Sequence, residues 1–153
     1  MTVAGLITVV AGGVVALDQL AKFAVRRSME VGAEVPLLPF FSLYHIENTG
    51  TAFGLFQDRN GLFIGVSLAV LGLMAWLARE FPAGDRRSWW GQGLIWGGAI
   101  GNLIDRAWRG RVTDYLDLFC GPHHWPSFNV ADSAITIGAG LLLWCAWKPM
   151  SSA

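Results

Sequence analysis

The sequence predicts an all-α polytopic membrane protein, with four transmembrane helices and a small extracytoplasmic β-structure between helices 1 and 2. Three observations carry this. Four long stretches of the chain hold no charged residue. The 153 residues are 54% hydrophobic and only 14% charged, with a mean hydropathy of +0.46, where a soluble domain carries about 25% charged residues. Eight Trp residues suit anchoring at the headgroup level.

The elements follow in chain order. Met1–Leu17 is uncharged, and Asp18 and Lys22 come in the turns just after it. No basic residue precedes this run and no small-residue cleavage site follows it, so an uncleaved first transmembrane helix is expected, not a signal peptide. In the connection Ala24–Arg59, Val35-Pro36-Leu37-Leu38-Pro39 is held extended by its prolines. Phe40–Ile46 is rich in aromatic and branched residues with partial alternation, and Asn48-Thr49-Gly50 reads as a turn. Thr51–Phe56 then leads into the second run, Asn60–Ala78, bounded by Arg59 and Arg79. The third run, Ser88–Ile104, ends at Asp105-Arg106, and the fourth, Ser133–Trp147, lies between Asp132 and Lys148. A spanning helix needs about 17–25 residues, so the fourth run reaches that length only by including Val130–Asp132. A single membrane domain, 1–153, is expected, with helices near 3–24, 58–79, 89–106 and 130–148 and extracytoplasmic segments near 25–57 and 107–129. The short segment Tyr115–Phe119 reads as a dip back to the membrane surface.

Charge and cysteine content exclude other classes. The formal net charge is zero, which argues against a nucleic-acid partner. Cys120 and Cys145 are too few for a disulfide framework. Cys120 with His123-His124 is a poor metal set, because adjacent histidines rarely converge on one ion, so no metal is expected. No Gly-x-Ser-x-Gly, His-Glu-x-x-His or phosphate loop occurs.

The polar residues gather at one end of each apolar run. They are Asp18, Gln19 and Lys22; Asn48; Asn102, Asp105 and Arg106; and Asn129 and Asp132. Alternating helix directions bring all these ends to one membrane surface. Asp18 and Lys22 have the i,i+4 spacing of an ion pair. Asp105 and Arg106 are adjacent and need separate partners, with Lys22 for Asp105 and a loop carbonyl for Arg106 as candidates. Asp114 or Asp117 is placed to meet the start of the fourth helix. There Asn129 and Asp132 share a face, either as site residues or as helix caps. Gly97-Gly98-Ala99-Ile100-Gly101 allows close helix packing. An intramembrane carboxylate is costly and usually functional. Two brought together can share a proton and activate water, the chemistry of aspartic proteases. The rival reading, ion conduction, calls for carboxylates on both sides of the bilayer, whereas these cluster on one.

These residues resemble the bacterial lipoprotein signal peptidase (signal peptidase II) family along nearly the whole chain. The matching motifs fall in family order: Leu17-Asp18-Gln19 with Lys22; Asn48-Thr49-Gly50-Thr51-Ala52-Phe53-Gly54; Gly97 through Arg106; Val112-Thr113-Asp114-Tyr115; and Phe128 through Ile135. The resemblance implies a membrane-embedded aspartic endopeptidase with Asp114 and Asp132 as the catalytic pair. By the same resemblance Asn48, Gly50, Asn102, Arg106, Asn129 and Ala131 line the site or support the pair, and Asp18, Lys22 and Asp105 are structural. It also implies substrates that are prolipoproteins carrying diacylglycerol on a cysteine, cut just before that cysteine. A monomer without cofactor is expected, in contact with membrane lipid. It would lie in the bacterial inner membrane, with cytoplasmic termini and its site near the outer face. The basic residues run against that orientation: Lys22, Arg26, Arg27, Arg59, Arg106, Arg109 and Arg111 outnumber Arg79, Arg86, Arg87 and Lys148. Thr113 stands where the family often has valine, and Cys120–Pro126 is variable territory.

Overall fold

The computed structural model describes residues 2–50, 59–78 and 85–147. Within them the chain forms four helices and four strands. Helix α1 (Val3–Ser28) starts where the Thr2 side chain accepts a bond from Gly5 N at 3.1 Å. Its 26 residues extend about 39 Å, more than a hydrocarbon core of about 30 Å. It runs four residues beyond the end expected from sequence, and in the added turn Arg26 donates to Thr113 Oγ1 at 3.1 Å. Val10, Asp18, Lys22 and Val25 form its buried face.

Helix α3 (Arg86–Arg109) is the central element and packs against α1, against α2 (Asn60–Leu77) and against α4 (Val130–Trp147). Its glycines make this possible. A Cβ at Gly98 would run into the backbone oxygen of Ala131 on α4, and one at Gly97 would come within 2.8 Å of the oxygen of Ala11 on α1. Farther from the polar end, Met74, Ile95 and Leu142 join α2, α3 and α4 in an apolar cluster. The left-handed Gly110 (φ 73°) ends α3, three residues past the expected end.

α1, α2 and α4 are long and apolar enough to cross a membrane. α3 is long enough but carries Gln92, Asn102, Asp105 and four arginines, so composition alone does not mark it. Its polar groups face the other helices: Ser88, Gln92 and Asp105 are buried.

The β-structure is larger than the sequence suggests. Strands β1 (Glu34–Leu38) and β2 (Phe41–Asn48) occupy the stretches read as extended. They are joined by β3 (Val112–Cys120) and β4 (His123–His124) in one antiparallel order, β1-β2-β3-β4. The sheet is therefore not confined to the connection between helices 1 and 2, and the fold is not all-α. The expected dip at Tyr115–Phe119 is instead the middle of β3, whose branched and aromatic residues suit a strand. Pairing of β2 with β3 places both connections at the same end of the helices. Thr51–Phe56, Arg79 and Lys148 lie outside the described residues.

Candidate active site

The N-terminus of α4 positions the first carboxylate. Asn129 Oδ1 accepts from Asp132 N at 2.9 Å, and Asp132 Oδ2 accepts from Asn129 N at 3.2 Å. This reciprocal pair is a capping box, which satisfies backbone donors that the first turn would leave open. The cap reading and the site reading thus describe the same residues. Asp132 Oδ1 stays free of the cap and accepts from Asn102 Nδ2 of α3 at 2.8 Å.

Strand β3 positions the second. Register pairs Ile46 with Asp114 and Asn48 with Val112. From that neighbouring position Asn48 Nδ2 donates to Asp114 Oδ2 at 2.8 Å, while Asn48 Oδ1 is held by Gly50 N at 2.9 Å. Asn129 Nδ2 donates to Asp114 Oδ1 at 2.7 Å. One asparagine therefore links the two aspartates, capping the helix that bears Asp132 and bonding Asp114 directly. Both carboxylates border a cavity of about 690 Å³, along with Asn48, Gly50, Asn102 and Arg106. Leu118, Trp125, Phe128 and Ile137 give the same cavity apolar walls.

Burial pushes Asp114 up to about 7, and the neighbouring Asp132 carboxylate adds to the rise. Hydrogen bonds from Asn48 and Asn129 and the charge of Lys22 pull the other way without cancelling it. At neutral pH Asp114 is thus poised to hold or release a proton.

Behind the cavity lies a buried ionic cluster. Lys22 Nζ is 2.8 Å from Asp18 Oδ2 and 3.2 Å from Asp105 Oδ2, and it donates to Asn102 Oδ1 at 2.9 Å. Asp18 Oδ1 accepts from Ala131 N at 3.0 Å, tying α1 to the start of α4. Asp105 Oδ2 accepts from Thr113 N at 3.2 Å, tying α3 to the strand next to Asp114. Arg106 Nη2 donates to Gly50 O at 3.1 Å, and its guanidinium stands 4.5 Å from the Phe63 ring centre. Arg106 Nη1 is buried with no protein partner among the described residues.

Two of the residues singled out from the sequence stand away from the cavity. Ala131 does not border the cavity: it is fully buried against Gly98 and Gly101, and its contribution is the backbone N–H given to Asp18. Asp117, the alternative to Asp114, points elsewhere, accepting from Ser42 Oγ at 3.2 Å and lying 2.8 Å from His124 Nδ1. Strand alternation explains this, since 114 and 117 differ by an odd number and so face opposite sides. Sequence reasoning missed Thr113, whose hydroxyl accepts from Arg26 at 3.1 Å and Arg109 at 2.7 Å. It also missed Glu47, which holds Arg109 at 2.8 Å. Reading 112–120 as a strand beside β2 would have exposed both.

Known proteins are similar to this chain in sequence and fold. The lipoprotein signal peptidase of Vibrio cholerae serotype O1 is 39% identical over 142 residues, covering 89% of this chain and 83% of its own. That of Solibacter usitatus is 40% identical over 153 residues, covering 94% and 92%. A solved bacterial membrane enzyme superposes with a TM-score of 0.83 at 28% identity, over 96% of this chain and 90% of its own. A second gives 0.81 at 27% identity, over 95% of each. The family model described as signal peptidase (SPase) II matches residues 10–148. With the model spanning nearly all of the sequence, the chain belongs to the signal peptidase II family.

Proposed function

We propose that this membrane peptidase removes signal peptides from diacylglyceryl-modified prolipoproteins, cutting before the lipidated cysteine with Asp114 and Asp132 as its catalytic dyad. The observation that supports this best is the convergence of the two carboxylates, from separate elements, on one part-apolar cavity where Asn129 links them.

Asp132 is the base and Asp114 the acid. Asp132 sits in the first turn of α4, where the helix dipole favours an anion, and it receives donors from Asn102 and Asn129. Asp114, on the strand, is pushed up to about 7 chiefly by burial and carries the proton. In the reaction the Asp132 carboxylate takes a proton from water as the water oxygen adds to the scissile carbonyl carbon. Asp114 gives its proton to the carbonyl oxygen, forming a tetrahedral diol. The C–N bond then breaks, the leaving amine takes the proton from Asp132, and a diol hydroxyl returns one to Asp114. Both carboxyls end as they began, and the products are a carboxyl-terminated signal peptide and an amine at the lipidated cysteine.

Other groups fit supporting roles. Arg106 Nη1 is free to donate to a peptide carbonyl. The wall formed by Leu118, Trp125, Phe128 and Ile137 suits apolar side chains and acyl groups. α3 acts as the fourth span, because its polar side chains are covered by α1, α2 and α4. The protein lies in the bacterial inner membrane with the sheet and dyad at the outer face, the side to which exported precursors are delivered. The test is cleavage by purified protein in detergent of a diacylglyceryl-modified prolipoprotein beside its unmodified precursor. Cleavage of the lipidated form alone, lost in Asp114→Asn and Asp132→Asn, is the expected result. Equal cleavage of both precursors removes the lipid requirement, and activity retained in either variant removes the dyad.

A further inference from the structure

Lys22 is fully buried and touches neither the cavity nor either dyad carboxylate, so its place in the fold is that of a structural ion pair. Two of its three short contacts are to Asp18 and Asp105, which already outweigh its charge. The third, to Asn102 Oδ1 at 2.9 Å, adds nothing to neutralisation. It does fix an orientation. Asn102 Oδ1 takes a second donor, Asn129 Nδ2, at 3.2 Å, so the amide oxygen faces two donors on one side. Asn102 Nδ2 must then face the other side, where it donates to Asp132 Oδ1 at 2.8 Å. A flipped amide would set its NH2 against the ammonium and its oxygen against the Asp132 carboxylate, losing a hydrogen bond on each side.

A cation on the amide oxygen also polarises its N–H, which strengthens the bond made at the far end. Asp114 has no such feature. Its two amide donors, Asn48 and Asn129, have their oxygens held by the backbone N–H groups of Gly50 and Asp132, neither of them a charged group. The two carboxylates are therefore served unequally, and the difference begins at Lys22.

We propose that Lys22 is a positioning residue for the dyad: by pinning the Asn102 amide it directs a polarised donor at Asp132, placing the anion there and the shared proton on Asp114. This rests on the peptidase reading. The charged and titratable groups around it are Asp18 on its own helix, Asp105 and Arg106 on α3, Asp114 and Tyr115 on β3, and Asp132 on α4. Arg26 lies beyond, 3.7 Å from Asp105 Oδ1.

The experiment is the pH profile of kcat/KM on the lipidated precursor for wild type, Lys22→Met, Asn102→Leu and the double variant. The acid limb reports formation of the dyad's single anion. It is expected to move to higher pH by about one unit or more in each single variant, as loss of a charge-backed donor requires. The double variant is expected to move no further than the singles, because both break one chain of contacts. A purely structural Lys22 would instead lower activity by the same factor at every pH. Asn102→Leu leaves the Asp18–Lys22–Asp105 cluster in place and so decides the matter even where Lys22→Met fails to fold. An acid limb unmoved in Asn102→Leu overturns the proposal. Wild-type protein inert at every pH would sink the peptidase reading itself, whereas an active wild type with unshifted variants sinks only this inference.

Discussion

Asp114, one half of the proposed dyad, is buried at a cost to the fold. Its folded value of about 7 exceeds the ordinary carboxylate value of 3.8, so between those limits the folded chain binds more protons than the unfolded one. Stability from this group is fully present below about pH 4 and is lost as pH rises through about 7. Asp114→Asn removes the titration. The variant is expected to melt several degrees higher than wild type at pH 8 and to match it near pH 4, as read by thermal unfolding in detergent. An equal melting difference at both pH values would show that burial does not burden this carboxylate. Turnover by the same variant, and by Asp132→Asn, should fall by about 10²–10⁴-fold or more, the usual loss with an acid–base group. Asp105→Asn belongs to another class. It weakens the bonds to Lys22 and Thr113 N, so it should lower stability by at most the roughly 3–5 kcal/mol of a broken buried pair and leave a measurable rate. An inactive but normally stable Asp105→Asn would reverse that assignment. At this scale the sequence was informative because polar residues beside apolar runs are few. Asn48, Asn102, Asn129 and the aspartates stood out for that reason. Choosing Asp114 over Asp117 needed the strand register, which three-residue spacing does not reveal.

At the scale of elements, the site depends on how closely α3 approaches its neighbours. Gly98 is the tightest point against α4, and the atom it would strike belongs to the backbone of Ala131, one residue before Asp132. A methyl group there cannot be absorbed by a side-chain rotation, so α4 must move away from α3. Gly98→Ala is expected to cost about 1–3 kcal/mol, typical of overpacking, and to reduce turnover by lengthening the Asn102–Asp132 bond. Gly140 of α4 meets nothing within 4 Å, and Gly140→Ala should leave turnover unchanged while raising stability by about 0.5–1 kcal/mol through helix propensity. Equal effects in the two variants, compared by thermal melting and initial rate, would show that helix propensity and not close approach sets the outcome. The glycine run announced close packing in the sequence, but not which neighbour it serves. The strand β3 was harder to see, because Asp114 and Asp117 interrupt its apolar residues and hide the pairing with β2.

For the molecule as a whole, two of the connections, α1 to α2 and α3 to α4, close into one sheet over the polar ends of the helices, and that sheet carries Asp114, half of the proposed dyad. The apolar runs made the helices legible from sequence, and α3 was recoverable only because its uncharged stretch was counted apart from its charged ends. The sheet was half legible, since β1 and β2 are local in sequence while β3 joins them across more than sixty residues. Orientation was the least legible feature. Many of the basic residues that enter a positive-inside count are held by partners: Lys22 by Asp18 and Asp105, Arg109 by Glu47, and Arg106 by Gly50. Paired charges of this kind report the site and not the side of the membrane. The two cysteines offer a direct test. Cys120 is exposed at the end of β3, and Cys145 is buried near the far end of α4. A membrane-impermeant thiol reagent applied to intact right-side-out vesicles should therefore label wild type but not Cys120→Ser. Labelling that appears only in inverted vesicles would put the sheet and dyad on the cytoplasmic side, away from the exported part of any precursor, and the proposed orientation would have to be reversed.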